Sequence, residues 1–572
     1  MIKEQIEKIT GLKYDRKIYR GFSGALWFVA GSLAHIISWL YVALTAGALP
    51  LYVKEYALLG TAKAQFWMNA YKLCGKLFLI VPAIAFIAFV SGVIAYYDDE
   101  EEERSLTESG YIFPMRKTFN ITVFHVWTLF FMLSAVISYL FSDQREIALC
   151  GERGWYCGMQ QYIVIGLCAF VISFLGCSKY ICMAVALLSS FSVCASGILM
   201  DVFGNVFRIA DWSEAKVSTM GNANWFCGYF VTVFFLGMAL YFLKKRGSSL
   251  KDKTANVLLI IYLAAGSWML ASQGSSSGYA AVFAVLIALL LIAGRNPERL
   301  LRIAEMSVIC FASAFAFSLT PEATSALRAN DMMSRLMTNS FFTFSMLVIS
   351  AVIVVLIRRR IRSGVEKTYY PYGKMFALLS GSGLLLYLIL LAVNTLAGGN
   401  IIRNNAFYFS PDWGSHRGET ISVGLRLFEG MNAFEKLFGK GPDTFYSFLT
   451  GGRFPVLYQE VNSFFGGARL TNAHCEPVTL LVNIGIFGTL CFYGMLISFL
   501  IMGFKKAAAE TGSIRSGINV PECDAGFVFG CTLCILAYMV NNLFSFQTPM
   551  NLSQLSVILA FGASAVLNTG VK

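Results

Sequence analysis

The sequence predicts an all-α, polytopic transmembrane protein of about fourteen spans with one large polar loop. Three observations carry that prediction. Hydrophobic residues make up 57% of the 572 and charged residues only 14%, far from the balance of a soluble domain. Apolar runs of about 20 residues recur along the chain, the length a helix needs to cross a bilayer. Lys and Arg cluster in alternate connections, as they do when loops sort to the two sides of a membrane. A chain in lipid must satisfy its own backbone hydrogen bonds, so each run reads as a helix.

In order, the runs place spans at Phe22–Ala48, Cys74–Tyr96, Phe119–Phe141, Gln161–Cys177, Tyr180–Phe203, Asn224–Leu243, Asn256–Ser272, Ser277–Gly294, Leu300–Thr320, Ser340–Ile357 and Gly373–Leu396. Pro477–Phe504, Cys523–Phe544 and Met550–Leu567 follow the polar loop. This divides the chain into 1–397 with eleven spans, the loop 398–476, and 477–572 with three spans. The fourth and fifth spans are separated only by Ser178 and Lys179, which demands a tight helical hairpin.

Basic residues set the orientation. Lys3, Lys8, Lys13, Arg16, Lys17 and Arg20 precede the first span. The signal returns at Lys244-Lys245-Arg246 with Lys251 and Lys253, at Arg295, Arg299 and Arg302, at Arg358-Arg359-Arg360 with Arg362 and Lys367, and at Lys505-Lys506 with Arg515. That side is expected to be cytoplasmic, with both termini on it. The net charge of +12 is thereby mostly a topology signal and argues against a nucleic-acid partner. No removable signal peptide is expected, because no cleavage-like site follows a short apolar core. The acidic run Asp98–Glu103 reads as a solvated loop. Most cysteines lie inside apolar runs and act as small hydrophobes, Cys531 and Cys534 included. Cys150 and Cys157 share one short loop, where an oxidising environment would allow them to pair.

The loop 398–476 is expected outside. It carries seven basic residues, six acidic ones and fourteen aromatics between Gly398 and His474. Leu427, Met431, Phe434 and Phe438 recur at spacings of 4, 3 and 4, the period of one helix face. One or two amphipathic helices over the membrane surface are therefore expected. The loop ends at His474, three residues before Pro477. Proline suits the first turn of a helix, so His474 is placed at the N-terminal mouth of a span. Gly485 and Gly488 then fall inside that span, where close helix packing is the plain reading.

Four stretches together resemble the O-antigen ligase/polymerase family of bacterial membrane glycosyltransferases. They are His474-Cys475 followed after nine residues by Gly485-x-x-Gly488; Trp413-Gly414-Ser415-His416-Arg417-Gly418 with Leu437–Phe445 downstream; Gly221-Asn222-Ala223-Asn224; and Ser272–Tyr279. All four fall on the expected outer side. The resemblance implies a GT-C-like architecture in the plasma (inner) membrane. It also implies transfer of a glycan from an undecaprenyl-diphosphate donor to the hydroxyl of a glycan or lipid-glycan acceptor. Such a reaction uses no metal and no cofactor. The sequence accords with that: no D-x-D occurs in an outer loop, and the first outer loop has only Glu55 as an acid.

A departing diphosphate needs positive charge, and arginine pairs two phosphate oxygens at once. Arg417 is the first candidate and Arg426 the second, with Arg403, Arg453 and Arg469 behind them. His474 has two open roles. It is either a general base for the acceptor hydroxyl or an imidazolium that steadies the leaving group. The positive end of the following helix favours a bound anion at the same place. Glu476 either orients His474 or serves as a first-turn acid. His416 is a secondary candidate. Trp413, with Tyr408, Phe445 and Tyr446, either stacks on sugars or anchors the interface. Asn222 and Asn224 either bond sugars or cap a span. Ser277 stands where many members of the family carry arginine. His35 and His125 lie inside spans and read as buried structural residues. The competing reading is a lipid-linked oligosaccharide flippase or other polysaccharide exporter. Against it stand spans nearly free of charge and no matching pair of Gly/Pro-broken spans.

Overall fold

The computed structural model describes residues 21–54, 59–98, 121–175, 178–207, 218–244, 247–294, 296–321, 323, 332–363, 372–515 and 522–567. The six N-terminal basic residues, Lys245, Arg246, Arg295, Lys367, Glu55 and the acids at 99–103 lie outside them.

All regular structure among the described residues is helical. Among the described residues, ten segments of crossing length and one shorter apolar helix precede the loop. They are α1 (Gly21–Val42, continued by a π-turn to Ala48), α2 (Leu59–Asp98), α3 (Val123–Leu140), α4 (Met159–Leu175) and α5 (Lys179–Phe203). There follow the pair α6 (Ala223–Val231) and α7 (Phe234–Leu243), then α8 (Leu250–Ser272), α9 (Ser276–Ala293), α10 (Pro297–Ser318), α11 (Ser340–Arg362) and α12 (Tyr372–Leu396). The loop carries α13 (Trp413–Glu429), α14 (Ala433–Phe438), α15 (Phe445–Thr450) and α16 (Pro455–Phe464). Three long helices close the chain: α17 (Glu476–Arg515), α18 (Glu522–Asn542) and α19 (Pro549–Leu567). Thirteen segments among the described residues are long and apolar enough to cross a membrane, with α6 and α7 counted as one. The chain is a multi-pass helical membrane protein. The fourth expected span, α4, is an apolar helix too short to join that set.

Two spans are interrupted, and here the structure departs from expectation. Gly485 does not lie within a helix. Its backbone (φ 70°, ψ −176°) splits α17 into a nine-residue piece, 476–484, and a long continuation. That region is essentially reserved for glycine, and a Cβ there would sit 2.4 Å from the Leu437 carbonyl carbon. The break frees carbonyls, and neighbours take them. The amides of Lys440 and Gly441 donate to Val482 and Asn483 at 3.0 and 2.9 Å. Ser138 Oγ also donates to the Asn483 carbonyl, at 2.9 Å. The Gly439-Lys440-Gly441 turn is thus docked on the break. The second interruption separates α6 from α7 at Thr232–Val233, with neither glycine nor proline at those two positions. Sequence inspection for Gly/Pro-broken pairs could not find it.

The loop folds into four short helices and a 3-10 turn at Asn405–Phe407, not one or two amphipathic helices. The stripe is broken up: Leu427 lies on α13, Met431 between the helices, and Phe434 and Phe438 on α14. Leu427 and Met431 are buried, whereas Phe434 is 43% exposed. Asn432 ends the continuity because its side chain and that of Glu435 form a capping box that starts a new helix. The loop owns a small apolar core of Val423, Leu427, Phe445, Leu449 and Val461, closed against Ala473 and Val482 at the start of α17. Cys150 and Cys157 are both free thiols.

Candidate functional site

His474 is held by a short, tightly bonded turn. Asn472 Oδ1 accepts from the His474 amide at 3.0 Å. Thr479 Oγ1 accepts from the Ala473 amide and donates to the Cys475 carbonyl, both at 3.0 Å. The bonds hold His474 at φ 48°, a left-handed conformation uncommon outside glycine. Thr420 on α13 donates to the Ala473 carbonyl at 2.8 Å, tying the arginine helix to this turn.

Arg417 arrives through a second strained segment. Gly414, Ser415 and His416 are all left-handed, and regular helix begins only at Arg417. Gly418 must be glycine, since a Cβ would lie 1.8 Å from the Ser410 carbonyl oxygen. Six non-glycine residues have positive φ among the described residues, and four of them (Ser415, His416, Asp443, His474) belong to this loop. Arg417 Nε donates to the Phe544 carbonyl at 2.8 Å, and one Nη donates to Gly414 at 2.7 Å.

The connection Leu543–Thr548 brings the parts together. Phe544 receives Arg417; Phe546 meets the His474 ring edge to face, with centroids 4.8 Å apart. Gln547 accepts from Tyr162 at 2.6 Å. Sequence reasoning missed this six-residue turn, which has no motif and no charge.

The imidazole of His474 is half-buried. Loss of hydration, then the positive charge of Arg417, push its pKa down to about 4. Its ring nitrogens bond no described residue. The other three histidines are engaged: His35 with the Gly31 carbonyl, His125 with Thr122 and Ser173, His416 with Asp412.

Of the two roles open to Glu476, it takes that of a first-turn acid: it opens α17 and makes no hydrogen bond to His474. Its carboxylate is buried and fully served. Tyr538 and Asn542 donate to Oε1, the latter at 3.1 Å, and Tyr493 donates to Oε2 at 2.9 Å. From there a hydrogen-bonded chain crosses the bundle. Asn541 Nδ2 donates to Asn542 Oδ1 at 3.0 Å, and Cys227 Sγ donates to Asn541 Oδ1 at 3.2 Å. Cys227 also meets Ser277 Oγ at 3.6 Å; Ser277 bonds Ser275 at 2.8 Å, and Ser275 donates to Asn224 at 3.4 Å. Ser277, Asn224 and Glu476 therefore belong to one polar network at one end of the bundle. Asn222 is exposed and caps α6, accepting from the amides of Asn224 and Trp225.

The remaining candidates lie elsewhere. Arg426 is nine residues beyond Arg417, about two and a half turns and so on the opposite helix face. It is 45% exposed and paired with Glu460 at 2.6 Å. His416 is 59% exposed and paired with Asp412. The Trp413 indole donates to Ala406 at 3.3 Å and packs on Phe409, which braces the 3-10 turn. Arg453 and Arg469 are paired with Glu435 and Glu152.

Asp443, in the Leu437–Phe445 stretch, was not singled out by sequence. Burial raises its pKa to about 7, opposed by the amides of Cys157 and Glu152, which donate to it at 3.1 and 2.8 Å. With Glu476 it lines an internal cavity of about 20 Å³, room for one water. No cluster of three or more His, Cys, Asp or Glu side chains among the described residues is arranged to hold a metal ion. No known protein-family profile and no characterised protein matches the chain.

Proposed function

We propose that this protein is a membrane glycosyltransferase. It moves an undecaprenyl-diphosphate-linked glycan onto an acceptor hydroxyl on the outer face of a bacterial plasma membrane. One observation carries the reading: His474, alone of the four histidines, has neither ring nitrogen bonded to a described residue, and it lies in the field of Arg417. A free neutral imidazole beside a guanidinium at a helix N-terminus suits proton removal next to a departing anion. The acceptor oxygen attacks the anomeric carbon while the bond from that carbon to the diphosphate oxygen breaks. The hydroxyl proton passes to His474, and the undecaprenyl diphosphate leaves against Arg417. Of the two roles open to His474, the depressed pKa favours the base. Arg417 is the counter-charge; Glu476, Ser277 and Asn224 form the scaffold beneath. The resemblance in the four sequence stretches supports the donor class.

Complementation of a glycan-assembly defect tests the reading. Arg417→Ala and His474→Ala are expected to abolish product while still reaching the membrane. Restoration of glycan by both variants refutes the assignment. The pH profile tests the role of His474. kcat/KM reports the free protein, so it should stay level as pH falls through 6.5 and drop only near 4. A fall centred at 6.5 marks an ordinary solvated histidine. The same titration acts on folding. The folded pKa lies below the unfolded one, so the contribution to stability is present above about 6.5 and is lost as pH falls toward about 4.

A second reading, a lipid-linked oligosaccharide flippase or exporter, draws on the two interrupted spans, a feature of transporters. Purified protein given donor and acceptor in detergent separates the two, because a flippase forms no new glycosidic bond.

A further inference from the structure

We propose that the end of the bundle remote from His474 holds an anionic phospholipid by its headgroup. A cavity of about 570 Å³ opens there between the start of α8, the start of α10 and the end of α11. Four cations line it, Lys244, Lys253, Arg302 and Arg358, against two carboxylates, Asp252 and Glu305.

The internal pairing leaves positive charge over. Arg302 is 6% exposed, its guanidinium stacked 4.7 Å from the Tyr241 ring and one Nη donating to the Lys244 carbonyl at 3.0 Å. Glu305 is shared: Arg358 donates to Oε1 at 2.8 Å, and Tyr241 and Arg302 reach Oε2 at 3.2 and 3.4 Å. Lys244 meets Asp252 at 3.2 Å. Lys253 has no partner among the described residues. One carboxylate thus serves two arginines and Lys253 is unmatched, so the cavity carries a net charge that a phosphate would neutralise.

The rest of the wall selects the source of that phosphate. Ile260, Val308 and Val354 continue the cavity away from the charges. Beside it, α11 presents Val352, Ile353 and Leu356, each more than 40% exposed, as an apolar face. Headgroup at the cations and acyl chain along this face match an amphiphile. A soluble phosphate uses only the first half of the site.

The test uses the purified full-length chain, delipidated in detergent, with native mass spectrometry reading retention of phosphatidylglycerol against phosphatidylcholine. Phosphatidylglycerol should be retained preferentially. Lys253→Gln and Arg358→Gln should each weaken that retention about five-fold, while Lys436→Gln on the loop at the other end leaves it unchanged. Lys253 is exposed and its replacement breaks no pair among the described residues, so folding is not at issue for Lys253→Gln, whereas Arg358→Gln also removes a partner of Glu305. Equal retention of the two lipids, or unaltered retention in the Lys253→Gln/Arg358→Gln double variant, overturns the proposal. Displacement of the lipid by an equal concentration of glycerol phosphate also overturns it, because the acyl chain then contributes nothing.

Discussion

Helices α19 and α12 are both long enough to cross a membrane and opposite in situation. The more apolar of the two is the outer one. The most apolar stretch of α12 has a mean hydropathy of 2.3 and none of it is buried; that of α19 has 1.6 and is 89% buried. Hydrophobicity does not drive helices together in lipid, because acyl chains are as apolar as leucine. Polar groups must find partners, and they do so at the centre. Within α19, Asn551 donates to Phe546 at 2.8 Å, Gln554 donates to Thr45 at 3.0 Å, and Ser556 meets Tyr41 at 2.5 Å. Along α12, Leu384, Leu385 and Leu386 are each more than 55% exposed. The candidate site is mounted on the central helices α17, α18 and α19, where the packing is fixed by hydrogen bonds as well as by shape.

If the centre is held by polar satisfaction, the largest loss should follow Glu476→Ala. It strands two tyrosine hydroxyls and the Asn542 amide without an acceptor, at about 1–3 kcal/mol for each buried group. Thermal unfolding in detergent should fall far more than for Glu476→Gln, which keeps an acceptor. Equal, small effects would break the contrast between centre and rim. Gly485→Ala comes next. It forces a side chain into glycine-only backbone and against Leu437, a cost on the order of 1–3 kcal/mol. It should also loosen the Lys440 turn, seen as faster proteolysis within 433–450. Leu385→Ala, at a position 60% exposed on the rim, should shift stability by less than about 0.5 kcal/mol. A larger shift would show that α12 packs against something besides lipid.

Much of the fold was legible because crossing a bilayer imposes length and apolarity on each span in isolation. Thirteen of the fourteen expected spans return as helices of crossing length, and the fourth, α4, as a shorter one. His474 and Arg417 were legible as residue types at the edges of spans and motifs. Their surroundings were not. Glu476 is three residues from Thr479 in sequence, yet its partners are Tyr493, Asn542 and Tyr538, up to 66 positions away. The counterpart of Arg417 is a backbone carbonyl 127 residues on, and carbonyls leave no mark in a sequence. The break at Gly485 was hidden because glycine inside an apolar run also reads as a packing residue; only the approach of Leu437 tells the two apart.

The sequence by itself determined that this chain is a stack of membrane-crossing helices, where the polar loop falls, and which histidine and arginines stand at its edges. Those properties depend on local length and residue chemistry. The tertiary structure decided that Arg417 and His474 share the turn between α18 and α19, that Arg426 faces elsewhere, and that burial and Arg417 lower the pKa of the imidazole. Each of these depends on burial and on partners distant in the chain, which only packing brings within reach.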